Sequence, residues 1–109
     1  MYVLTFCYKQ EVPLDEDYYL HTHVARLSQR TVLEMGATKY EVKKVLSAAD
    51  GTLPKYSYVF NLYFESKELL ETFIRDPRVQ ELKDDVANYY DGEQDIYIEE
   101  VVAFFPLLS

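Results

Sequence analysis

The chain has little of what most chemically specialised small proteins depend on. Among its 109 residues there is one cysteine, three glycines, four prolines and no tryptophan. A lone Cys7 cannot form an internal disulfide, so a disulfide scaffold is excluded and a reducing compartment is allowed. It also leaves no cysteine pair to hold zinc or copper, and no metal site is expected. Three scattered glycines cannot make a phosphate-cradling loop. Positive charge is scarce: 11 Lys and Arg against 19 Asp and Glu give a net charge of −8. That balance argues against a nucleic-acid or anionic-membrane surface, which would need clustered cations. No apolar run approaches the roughly 20 residues that cross a bilayer. The opening residues Met1 to Tyr8 lack a basic stretch and a small-residue cleavage site, so they do not read as a signal peptide. A cytoplasmic location is expected. What the chain does have is eleven Tyr and six Phe. Such an aromatic load belongs to a folded core, and 109 residues suit one domain over 1–109.

The order of elements can be read from the periodicity. Tyr2 to Lys9 alternates Tyr2, Leu4, Phe6 and Tyr8 against Val3, Thr5 and Cys7, the pattern of a strand. From Leu14 to about Met35 the period turns helical, with Asp15 or a neighbour as the N-cap. Leu20, Val24, Leu27 and Thr31 form the apolar stripe there, Tyr19 and His23 flank it, and Gly36 stands at the C-terminal position. A second strand is expected over about Thr38 to Leu46, with Tyr40, Val42 and Leu46 on one face. The turn cluster from Ser47 to Pro54 is too long for a tight hairpin and suggests a wider antiparallel connection. Strand three, Tyr56 to Phe64, alternates without a break. Ser66 caps a short helix with Leu69, Leu70, Phe73 and Ile74, and Asp76-Pro77 restarts it with Val79, Leu82 and Val86. A last strand is expected over about Asp95 to Ala103, before an apolar tail, Phe104 to Leu108, that should not hang free in water.

This βαββαβ order predicts an α+β, ferredoxin-like fold: an antiparallel sheet with two helices on one face. The uncovered face should then be polar. Val3, Cys7, Val59 and Tyr63 make it half apolar instead, and the expected answer is a homodimer packed through its sheet faces.

His23 is the sharpest chemical feature. Beside the apolar stripe it should face the sheet, where it acts as a core-edge histidine or as a general acid/base near neutral pH. His21, two residues away, points elsewhere and belongs to solvent. Tyr19 lies one turn before His23, next to Tyr18, and Tyr8, Tyr40, Tyr58 and Tyr63 add hydroxyls from the sheet. A tyrosine-lined pocket suits a planar organic ligand, although tyrosine is also an ordinary strand residue. Asp85, Asn88 and Tyr89 form a polar cluster that either joins the site or caps the second helical region. A Cys7–His23 dyad is conceivable across the strand–helix interface, but strand cysteines mostly pack.

The run Asp15-Glu16-Asp17-Tyr18-Tyr19-Leu20-His21-Thr22-His23 resembles the EthD-like family of dimeric α/β-barrel proteins. The likeness continues through Tyr8-Lys9, Lys39-Tyr40-Glu41-Val42, Ala49-Asp50-Gly51 with Pro54-Lys55-Tyr56, Leu62 to Ser66, and Asp85-Val86-Ala87-Asn88-Tyr89. It implies two ferredoxin-like protomers closing into a barrel, and a cavity between sheet and helices that contains His23. The chain departs from the family straight after that histidine. It reads Val24-Ala25-Arg26 where a proline-leucine is common, which bears on the aim of the imidazole.

The resemblance implies small-molecule chemistry, since relatives include an accessory protein of ether degradation, cofactor-free monooxygenases, isomerases, cyclases and haem-dependent enzymes. The expected function is a cofactor-free enzyme of catabolic or secondary metabolism acting on a cyclic, aromatic or hydrophobic substrate. His23 is the acid/base, and Tyr18, Tyr19, Tyr8, Tyr40, Tyr63, Asp85, Asn88 and Tyr89 are the candidate ligand-binding residues. The alternatives are a non-catalytic accessory or binding protein for a hydrophobic intermediate, and a haem protein with His23 as axial ligand.

Overall fold

Tyr2–Lys9 forms β1 in the computed structural model, which describes residues 1–105 apart from the side chain of Leu27. β1 is central. It pairs antiparallel with β3 (Tyr56–Phe64) on one side and β4 (Asp95–Glu100) on the other, and β2 (Lys39–Lys44) completes the order β2-β3-β1-β4. The register sets Leu4 between Leu62 and Ile98, Phe6 between Phe60 and Ile96, and Tyr8 opposite Tyr58. Tyr40 and Val42 of β2 stand opposite Leu62 and Phe60. Residues directly opposite one another share a face, so this register collects the aromatic and aliphatic set on one side of the sheet. The helices cover that side, and Leu4, Leu62, Phe64, Leu70 and Phe73 are buried between the layers. The α+β, ferredoxin-like architecture expected from the sequence is the one observed.

Each helical segment starts where its chemistry says it should. Asp15 Oδ1 accepts from the Tyr18 amide at the head of α1 (Glu16–Tyr18). Ser66 accepts from the Leu69 amide to open α3 (Lys67–Arg75). Asp76 then accepts from the Arg78 amide, with Pro77 in the first turn of α4 (Pro77–Asp85). Gly36 ends the first helical region at φ +89°, a conformation that favours glycine.

That first region holds the main departure from expectation. Between α1 and α2 (Gln29–Glu34) the ten residues Tyr19–Ser28 form a π-helix, and the Gln29 amide donates to the Val24 carbonyl five residues back. The wider turn changes which residues point inward. Tyr19, His23, Val24, Ser28 and Val32 are buried, while Leu20 and Thr31 are only half-buried. Tyr19 and His23 therefore do not flank the stripe; they belong to it. The expectation at Leu27 concerns a side chain outside the described residues.

Three other expectations are corrected. β2 stops at Lys44, and Leu46 is exposed. β4 stops at Glu100, after which the Val101 amide still donates to the Met1 carbonyl. The uncovered face is more polar than its central residues suggested. Thr5 donates to Glu99, Asn61 donates to Thr5, and Tyr63 donates to Glu41. Val3, Thr5, Cys7 and Asn61 are small and lie buried among these longer neighbours. Exposed apolar side chains lie on the helix side of β4, at Ile96 and Ile98, and at Val102, Phe104 and Phe105, while Tyr97 is exposed on the uncovered face. The tail beyond, 106–109, lies outside the described residues. Among the described residues no helix is long and apolar enough to cross a membrane.

Candidate functional site

Two short backbone contacts bring the head of the first helical region to the end of α4. The Asp15 amide donates to the Tyr89 carbonyl at 2.9 Å, and Leu14 bridges Tyr90. Behind this clamp, one turn of π-helix faces the 3₁₀ turn Val86–Asn88. The result is a contact that spans 62 residues of sequence: His23 Nδ1 lies 2.9 Å from Asp85 Oδ2. Both side chains are close to fully buried, at 9% and 11% exposure.

Asp85 is held from several sides. The Tyr18 hydroxyl donates to its Oδ1 at 2.7 Å, and Asn88 Nδ2 donates to the same oxygen at 2.9 Å. Burial opposes the carboxylate charge, but the hydrogen bonds from Asn88, His23 and Tyr18 prevail and keep Asp85 below its ordinary range. It is therefore an anion at neutral pH, so the bond to His23 carries its proton on Nδ1. Burial pulls His23 below its ordinary value, with Asp85 opposing. A neutral imidazole with Nδ1–H fixed leaves Nε2 with a free lone pair. The ring plane is fixed too, by Tyr89 at 4.7 Å and Tyr19 at 6.1 Å between centroids.

His23 lines a cavity between sheet and helices. Its apolar walls include Phe6, Phe60, Phe73 and Val79, and Tyr8, Ser28, Lys83 and Gln94 supply its polar groups. The space within it is about 40 Å³, around three times what one water requires. Productive binding of an organic molecule needs this cavity to widen. The Tyr8 and Tyr89 hydroxyls bond to each other at 2.5 Å beside it. Burial drives the phenols of Tyr8, Tyr19 and Tyr89 upward, so they stay protonated and are not bases. The Tyr19 hydroxyl is buried and has no hydrogen-bond partner among the described residues.

The candidate residues fall into three groups. His23 and Tyr8 line the cavity, and Tyr19 and Tyr89 pack against the imidazole. Tyr18, Asp85 and Asn88 stand behind His23, where they orient it through the carboxylate. Tyr40 and Tyr63 are not brought to the site. Tyr40 shares the helix-covered face and packs on the cavity-wall residue Phe60, 5.7 Å between centroids, without lining the cavity itself. Tyr63 lies on the opposite face, where its hydrogen bond to Glu41 and then burial push it up to about 12. Cys7 is on that opposite face as well, so no Cys7–His23 dyad exists. His21 is exposed beside Asp17. Sequence reasoning missed Lys83 and Gln94; the signal for Lys83 was its place one turn after Val79 on α4, where it is exposed but borders the cavity. Among the described residues no three His, Cys, Asp or Glu side chains gather as metal ligands.

A family model described as the EthD domain matches residues 12–93. No curated protein matches the chain. An EthD-like protein from Ralstonia eutropha JMP134 superposes with a TM-score of 0.74 at 22% identity, over 94% of this chain and 92% of that one. An EthD-family protein from Bacillus halodurans C-125 gives 0.74 at 19% identity, over 94% and 99%. A dimeric protein of unknown function and ferredoxin-like fold from Bacteroides fragilis gives 0.61 at 10% identity, over 92% and 94%.

Proposed function

The chain belongs to the EthD domain family, and we propose that it is a small-molecule enzyme in which His23 moves a proton on a hydrophobic, cyclic or aromatic substrate. The observation that carries this reading is the buried His23–Asp85 pair at 2.9 Å, whose imidazole lines the cavity. Asp85 holds Nδ1–H, so Nε2 is the nitrogen offered to a substrate as general base, and the imidazolium so formed returns the proton to the product. Tyr18 and Asn88 act through Asp85 as positioning residues. Tyr8 and Tyr89 close the cavity with protonated hydroxyls. Isomerisation, dehydration or cyclisation suits this set, because each needs proton transfer and an apolar, water-poor site. No cofactor is invoked. A porphyrin on His23 fits poorly: the space at the ring is about 40 Å³, and Lys83 is the one cation on its walls.

We take the working assembly to be a homodimer through the sheet faces, located in the cytoplasm. On the uncovered face, the exposed Tyr97 beside the apolar Val3, Cys7 and Val59 supports burial of further surface by a second copy. The net charge of −8 supports neither a nucleic-acid nor an anionic-membrane partner. Light scattering at micromolar concentration is expected to give twice the chain mass, and the mass of one chain would overturn the dimer.

Native mass spectrometry of the protein taken from its host identifies the bound compound. Turnover of that compound is then compared between the native protein and His23→Gln. A loss of about 10²- to 10⁴-fold with binding retained is the expected result. Equal turnover would remove the role assigned to His23. Binding with no turnover even by the native protein would make the chain an accessory carrier.

A further inference from the structure

We propose that the ligand of the His23 cavity is an amphipathic anion, a carboxylate on an apolar aromatic or aliphatic body, and that Lys83 selects its charge. The proposal rests on the reading of this cavity as the ligand site. Phe6, Phe73, Val79 and Lys83 line the His23 cavity and also line a second hollow that reaches Ile96 and Ile98 on β4. The two hollows are therefore neighbours across a shared wall, and together they outline a slot running from the imidazole to the edge of the sheet. The second hollow adds about 130 Å³. Its far end is open, since Ile96 and Ile98 are 46% and 55% exposed. A body with several apolar carbons can lie there without displacing the core.

Polar groups along the slot are few and mostly committed. His23 Nδ1 is taken by Asp85, and the Tyr8 hydroxyl by Tyr89. Neither hollow has an Asp or Glu on its walls, and Lys83 is the one Lys or Arg on either. Lys83 pairs with no carboxylate among the described residues, and of the cations without such a partner it is the one on these walls. A cation placed over an apolar slot, with no internal counter-ion, is complementary to an anion that arrives with the ligand. Its stem adds to the apolar wall, and its ammonium can turn to the carboxylate. In a chain that is strongly acidic overall, this cation is also what would let an anionic ligand settle.

A lysine that served only the carboxyl end of α4 would affect stability and leave ligand charge irrelevant. Isothermal titration with 2-naphthoate and its neutral near-isostere 2-naphthamide separates the two roles, with the Ile98 methyl signals reporting occupancy of the slot. For the native protein, naphthoate is expected to bind about tenfold tighter than the amide, the scale of one charge-assisted hydrogen bond. Lys83→Gln should abolish that preference, and Lys83→Arg should keep it. Equal binding of the two probes to the native protein, or a preference that survives in Lys83→Gln, overturns the role of Lys83 and leaves the cavity reading standing. Binding of neither probe overturns both.

Discussion

Exchanging Asp85 for Asn replaces one oxygen by an NH₂ group and removes one charge, yet it should reverse the tautomer of His23. In the native site the carboxylate accepts from three donors: Tyr18 at 2.7 Å, Asn88 at 2.9 Å and His23 Nδ1 at 2.9 Å. An asparagine amide can keep the first two through its single carbonyl oxygen. Its NH₂ group then faces His23 Nδ1, and two donors cannot share that contact. The imidazole must shift its proton to Nε2 so that Nδ1 can accept. Nε2, the nitrogen not engaged by residue 85, then carries a hydrogen and no lone pair.

The energetic cost follows from the same geometry. Two hydrogen bonds lose their charge assistance and the third reverses, all in a site where both partners are nearly buried. That amounts to about 2 kcal/mol, or a fall in Tm of roughly 8 °C for a domain of this size. Two-dimensional ¹⁵N–¹H spectra of the imidazole read the tautomer directly, and thermal unfolding reads the stability. The reasoning is refuted by an unchanged His23 tautomer in Asp85→Asn, or by a Tm equal to that of the native protein. A pH series adds an independent check. Both His23 and Asp85 have folded values below their ordinary 6.5 and 3.8. Folding thus favours the deprotonated form of each, and the stability this contributes is complete above those values. It is lost as pH falls from 6.5 through the folded value of His23, then further below 3.8 as Asp85 protonates. Asp85→Asn should shrink the lower step without removing it, since Asp50 and Asp76 are also held below their ordinary values by hydrogen bonds and contribute there.

The remaining predictions concern the tyrosines and one turn. Tyr8→Phe leaves the buried Tyr89 hydroxyl without its partner and should cost about 1–3 kcal/mol in denaturant unfolding. Tyr19→Phe removes a hydroxyl with no hydrogen-bond partner among the described residues, so the same measurement should show no loss or a small gain. A large loss there would mean that the hydroxyl is satisfied in solution. Gly36→Ala places a Cβ 3.5 Å from Leu69, an ordinary contact, so its cost is that of the backbone at φ +89°. About 1 kcal/mol is expected, and an unchanged unfolding midpoint would show that the first helical region does not end on a left-handed residue.

Much of the fold was legible because single residues carry their own structural reasons. Tyr56 to Phe64 alternates, Ser66 and Asp76 cap, and Pro77 and Gly36 stand where a helix begins and ends; none of these depends on distant neighbours. The site was legible in its members and not in its arrangement. A stripe through Leu20, Val24 and Thr31 assumes 3.6 residues per turn, and over Tyr19–Ser28 the backbone closes on the fifth residue instead. That single change in pitch moves Tyr19 and His23 inward, and no propensity of Thr22 or Val24 announces it. Tyr63 shows the opposite failure. Its strand position already put it on the face away from the helices, and counting hydroxyls did not outweigh that geometry. The pairing of His23 with Asp85 needs the clamp from Asp15 to Tyr89, a contact between backbone groups that leaves no mark in side-chain pattern. Both the widened turn and the buried carboxylate disfavour folding unless something compensates. The compensation visible here is local to His23: three hydrogen bonds on the carboxylate and two rings on the imidazole. If the π-turn exists to aim Nε2 into the cavity, deleting one residue between Tyr19 and His23 should restore an ordinary helix. Such a variant would remain folded and lose the His23–Asp85 signal in the ring spectra. Retention of that signal would show that the pitch of the helix is not what aims the histidine.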